Sequence, residues 1–260
     1  MFMANRRSFL ASALGLSVLA IAPPRILAAQ SPGSGASIDP TLASYLALAR
    51  TSIASLDQAT PFTFGNAQLQ MDALGFQLPF DMADPEALHN WIEGTFSVAL
   101  PSAFRSYALI EDFEWLFGFT ISQVYSGAEI GEPPGMVTML RGDFDSNRIR
   151  ASQLAQGYQR LDVDGYEVYS LSEEADFDLT NAIQALALAR LNNSTVLDDG
   201  TLLYAPSLEI LRTMLAPGAT LAEQTWVQQA VSALDLPLMT GMVLGPGAFV
   251  PGIPEELLQP

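Results

Sequence analysis

Two Asp-Gly dipeptides constrain this chain more than any other feature. Asp164-Gly165 lies within the run Tyr158 to Leu171, and Asp199-Gly200 within the run Thr195 to Tyr204. Asp-Gly tolerates the positive φ of a tight hairpin turn, so each run predicts a pair of antiparallel strands. Around them, apolar residues recur at three- and four-residue spacing. Helices are expected from about Pro40 to Leu56 (Leu42, Tyr45, Leu46, Ala49, Ile53, Leu56), from Asn147 to Gln156 behind an Asp145-Ser146 cap and before Gly157, and from Leu179 to Leu191. Strands and helices mix without the strict alternation of a doubly wound fold. The expected class is α+β: a mainly antiparallel sheet with helices packed on one face.

Three stretches look like copies of one unit, a short strand ending in an aromatic and a small residue, then a helix. They are Phe64-Gly65 to Leu74-Gly75, Tyr107-Ala108 to Phe117-Gly118, and Tyr204-Ala205 to Leu215. In the second and third a further helix is expected (Ile121 to Ile130; Leu221 to Leu234), then an apolar strand (Met136 to Leu140; Leu238 to Leu244). The pattern is that of a duplicated β-α-α-β unit, or of the periodicity any α+β chain shares. From Leu236 to Pro254 the chain is uncharged, but repeated Pro and Gly would leave backbone groups unpaired in lipid. A strand and an extended segment fit that tail better than a membrane helix.

The N-terminus carries Arg6-Arg7-Ser8-Phe9-Leu10, then an uncharged stretch to Ala22, Pro23-Pro24 and small residues at Ala28-Ala29. A positive segment, a short apolar segment and a small-residue exit, in that order, are a cleavable export signal. The apolar part falls short of the roughly 20 residues that cross a bilayer, so no stable membrane anchor is expected. The arginine pair resembles a twin-arginine signal, with Asn5 and Ala11 departing from its outer positions. The expected organisation is a signal peptide over 1–29, a flexible linker over 30–39 and one α+β domain over 40–260. Export implies a periplasmic, cell-envelope or extracellular location.

Cysteine is absent, so the fold has no disulfide and no thiolate chemistry. Lysine is absent too, which removes Schiff-base catalysis and a P-loop. The net charge is -17, and losing Arg6, Arg7 and Arg25 with the signal makes it more negative. Such a chain repels nucleic acid and anionic lipid; a small-molecule or protein ligand is compatible with it, as are divalent cations.

No catalytic residue can be assigned, and neither a cofactor site nor a metal site is expected. His89 is the only histidine and reads as a polar helix residue. Asp162, Asp164 and Glu167, and Asp198 and Asp199, could gather around calcium, yet lack the twelve-residue loop and serve a hairpin equally well. Glu111, Asp112 and Glu114, or Glu173, Glu174, Asp176 and Asp178, could supply a glycosidase's two carboxylates, or simply a solvated acidic face. Arg141-Gly142-Asp143 matches the adhesion tripeptide in letters, at a strand-to-helix junction.

The segments Phe117-Gly118-Phe119, Gly131-Glu132-Pro133-Pro134, Leu140 to Asp145, Gly157-Tyr158, Val163-Asp164-Gly165, Tyr169-Ser170-Leu171 and Leu186 to Asn193 resemble a group of exported, uncharacterised proteins of green non-sulfur bacteria (Chloroflexi). That resemblance implies no activity, and implies a chain that can continue beyond Pro260. Two functional readings follow from the residues. The first is a non-enzymatic extracytoplasmic binding or protein-interaction module with an acidic surface. The second is a carboxylate-based, glycan-directed hydrolase.

Overall fold

The computed structural model describes residues 40–53, 62–95, 101, 104, 112–132, 134–232 and 237–243. The expected signal peptide and linker, Tyr107-Ala108, Glu111 and the tail beyond Val243 lie outside these.

Eight strands form one antiparallel sheet: β1 (Phe62–Asn66), β2 (Val124–Ile130), β3 (Val137–Gly142), β4 (Gln159–Val163), β5 (Tyr166–Ser170), β6 (Asn193–Val196), β7 (Leu202–Ala205) and β8 (Thr240–Val243), in the order β4-β5-β6-β7-β3-β2-β1-β8. Helices α1 (Pro40–Leu48), α2 (Ala67–Leu74), α3 (Pro85–Thr95), α4 (Phe113–Phe117), α5 (Ser146–Ala155), α6 (Ala182–Ala187), α7 (Leu208–Leu215) and α8 (Thr225–Ser232) pack on it. The α+β class and the antiparallel sheet are as expected. Among the described residues no helix is long and apolar enough to cross a membrane.

Helices cover both faces of the sheet, where the sequence reading placed them on one. Strand alternation explains this. Along β3 and β7, Leu140, Leu202 and Tyr204 point into a cluster with Met71, Trp91, Phe104, Phe117, Ile149 and Ile183, while Val137, Met139, Leu203 and Ala205 point into another with Leu42, Tyr45, Leu211 and Val227. The central strands are apolar on both sides, so each side needs its own cover.

Both hairpins form, by different turns. Asp164 and Gly165 take φ of 54° and 86° between directly paired Val163 and Tyr166, a two-residue turn of the primed type. The second hairpin has a longer loop: Gly200 donates to the Leu197 carbonyl and Leu197 to the Thr201 carbonyl, both at 2.9 Å, with Gly200 alone at positive φ.

One expected helix is a strand. Only Ile121–Gln123 is helical, as a short 3-10 turn; Val124–Ile130 is β2. Its ends are β-branched, Gly127 interrupts it, and burying it between β1 and β3 satisfies its backbone on both sides. The second proposed β-α-α-β copy therefore does not form, although the third does, as β7-α7-α8-β8. The repeat in the strands is larger. Exchanging each of β1 to β4 with the strand four places later leaves the sheet order unchanged. Phe64 then matches Val168 and Met139 matches Leu203, all on one face. The connecting helices break this symmetry, because α5 packs on one face and α7 and α8 on the other.

Candidate functional site

At one end of the central strands, β1 runs straight into α2. Asn66 is both the last residue of β1 and the cap of α2, its side chain accepting from the Leu69 N–H at 3.0 Å. This junction sets Gln68, Leu69 and Asp72 over the start of β2 and the end of β3. Opposite them the ladder is irregular. Val124 pairs with Gly142 and Ser126 with Arg141, so Tyr125 is an extra residue, a β-bulge. A bulge bends its strand and re-aims a side chain out of the alternating pattern. Tyr125 thereby joins Thr41, Asn66, Gln68, Leu69, Asp72, Ser126 and Arg141 around a cleft of about 360 Å³.

The floor of the cleft is a fixed polar network. Tyr45, fully buried on α1, shares a hydrogen bond of 3.0 Å with Ser126 Oγ. The guanidinium of Arg141 lies over the Tyr45 ring, 5.4 Å from its centroid. Its Nε donates to Thr201 Oγ1 at 2.9 Å, and its terminal nitrogen pairs with Asp199. Asp199 also accepts from the Thr201 N–H at 3.0 Å. Burial opposes the charge of Asp199, but the hydrogen bonds from Thr201 and Arg141 outweigh it and hold its carboxyl below the ordinary value. Burial drives the Tyr45 phenol in the other direction, far above its usual range, against weaker opposing effects of Ser126 and Arg141. Tyr125 is raised as well, by desolvation first and by the Asp143 carboxylate second. Both phenols are therefore neutral at physiological pH.

The two charges at the cleft are held differently, Asp72 by a neutral amide and Arg141 by an ion pair. Asp72 accepts from Gln68 Nε2 at 2.7 Å, and Arg141 is held by Asp199. What faces an incoming molecule is amide, hydroxyl and phenol groups, the exposed Asp72 carboxylate and a larger apolar surface.

The other candidate residues lie elsewhere. His89 is exposed on α3. Asp162 accepts from the Gly165 N–H at 3.1 Å, and Glu167 pairs with Arg150 and Arg160. Glu114 pairs with Arg148; Asp178 accepts from Thr180 N at 2.8 Å, and these bonds to Thr180 lower its pKa. The Glu174 and Asp176 carbonyls accept from Asn192, which anchors that acidic loop. Among the described residues, no three His, Asp or Glu side chains gather as metal ligands. Arg141-Gly142-Asp143 is a packing element: a Cβ on Gly142 would collide with the Gln123 carbonyl. Sequence reasoning missed Tyr45, Tyr125 and Ser126 as a site. A helix over 121–130 hides the bulge, and only a ladder reveals it. Comparison of the chain with family models, with curated proteins and with solved structures finds no match, so the role of this cleft has to be read from its own geometry.

Proposed function

We propose that this protein is an exported, non-enzymatic binding module whose cleft at the β1–α2 junction takes a small uncharged ligand bearing hydroxyl or amide groups. The observation that carries this reading is that the one cation among the described lining residues, Arg141, is already neutralised by Asp199, which leaves amide, hydroxyl and phenol groups beside a single carboxylate, Asp72, that accepts from Gln68. Proton-transfer chemistry of the glycosidase type needs two carboxylates facing one substrate, and among the described residues Asp72 is the one carboxylate in the lining. A cleft of about 360 Å³, its accessible lining more apolar than polar but carrying hydroxyl, amide and phenol groups, suits a molecule of monosaccharide or dipeptide size. Placement outside the cytoplasm is supported by the ordered arginine pair, apolar stretch and small-residue exit at the N-terminus. The net charge of -17 favours binding partners other than nucleic acid and anionic lipid.

The test is thermal unfolding in the presence of neutral sugars, blocked dipeptides, charged analogues of both, and calcium. A ligand at a hundred times its Kd adds about 2.7 kcal/mol to stability. A raised midpoint with an uncharged compound, abolished by combining Gln68→Ala with Tyr125→Ala, is the expected result. A rise with calcium alone, or a sugar that is cleaved during the experiment, would replace this reading.

A further inference from the structure

β4 is an edge strand whose outward backbone groups can be identified. The Leu171 N–H donates to the Asn192 carbonyl at 2.7 Å, beside the β5–β6 pairs Tyr169 with Ser194 and Ser170 with Asn193. Antiparallel bonding alternates residue by residue, so Tyr169 also turns toward β6, and Tyr166, Val168 and Ser170 turn toward β4. Their partners Val163, Leu161 and Gln159 bond inward. The two-residue turn at Asp164-Gly165 requires the same phase independently. The N–H and C=O of Arg160 and Asp162 are left directed away from β5. Among the described residues no strand pairs with them. The edge carries no proline and no bulge, and its two exposed charges, Arg160 and Asp162, are of opposite sign, so they do not by themselves repel an antiparallel copy.

We propose that β4 pairs antiparallel with β4 of a second copy of this chain, about a dyad through Leu161. Residues opposed across such a ladder share the same bonding phase, which restricts the registers. A dyad at Arg160 opposes two arginines, and one at Asp162 opposes two aspartates. A dyad at Leu161 opposes Arg160 to the second copy's Asp162, twice. Those are also the residues with outward N–H and C=O groups, so each pair exchanges both backbone bonds. Backbone phase and charge thus select the same register, and opposite charges directly across strands favour pairing. Arg160 and Asp162 are both exposed on one face, within reach of such a partner. Two acidic copies repel at long range, but at physiological ionic strength that repulsion is screened beyond about 8 Å while groups in contact still attract. A five-residue strand buries little surface, so the association belongs to the weak, reversible class.

Sedimentation equilibrium of the full chain over rising loading concentration, at physiological ionic strength, tests this. The expected result is a reversible monomer–dimer equilibrium that Arg160→Asp or Asp162→Arg weakens by about tenfold or more. Mixing the two variants restores association, because a mixed pair opposes unlike charges at both places. The double exchange Arg160→Asp with Asp162→Arg restores it within one chain. Thermal unfolding shows that each variant is folded despite losing its contact to Glu167 or Gly165. A parent chain that stays monomeric at every loading, or folded variants whose mixture stays monomeric, would overturn the proposal.

Discussion

Asp199 joins the turn between β6 and β7 to Arg141 and, through it, to the buried Tyr45 ring. Its carboxyl is held below the ordinary value of about 3.9. Such a group contributes stability above its unfolded pKa, and that contribution is lost as pH falls through the folded one. The difference in unfolding free energy between the native chain and Asp199→Asn should therefore be full near neutral pH and shrink below about pH 4. Urea unfolding at a series of pH values measures it; a difference independent of pH would contradict the role given to this pair. Gly142 carries a different constraint, because its backbone touches the Gln123 carbonyl where a side chain would begin. Gly142→Ala should destabilise by more than about 2 kcal/mol in the same assay, since relief requires moving β2 or β3.

At the scale of elements, the cap at Asn66 couples stability to the cleft. Asn66→Ala removes the acceptor for the Leu69 N–H and should cost about 1 kcal/mol. It should also weaken ligand binding, because Gln68 and Leu69 sit in the turn that it fixes. Equal affinity in the variant would separate the cap from the site. The contrast between α2 and β2 shows how legible the chain was. Phe64-Gly65 running to Leu74-Gly75 predicts a short strand and then a helix, as β1 and α2 form, because an aromatic residue and a closing Gly act locally. The hairpins were equally legible, since positive φ is a property of the turn residues themselves. β2 was not, because Ile121, Val124 and Ala128 recur at helical spacing, and only the long-range pairing to β1 and β3 overrides it. The cleft was lost with it, since a bulge exists only relative to a partner strand.

At the scale of the whole molecule, one sheet runs through both halves of the strand repeat, and each half lends its last strand to the edge of the other. The halves should not unfold separately. Trp91 is buried in the cluster on one face and Trp226 packs against the cluster on the other, so variants retaining one tryptophan each report on opposite sides. Both should give the same urea midpoint; two distinct midpoints would mean that the layers unfold independently. The cleft at the β1–α2 junction is proposed to receive an uncharged polar molecule. Fluorine NMR of the chain carrying fluorotyrosine at its seven tyrosines tests it most directly, with the Tyr125 resonance assigned from Tyr125→Phe. Titration with the uncharged compound that raises the thermal midpoint should move the Tyr125 resonance and leave that of exposed Tyr166 in place. A midpoint that rises while Tyr125 stays still would put the ligand elsewhere and rule out binding in this cleft.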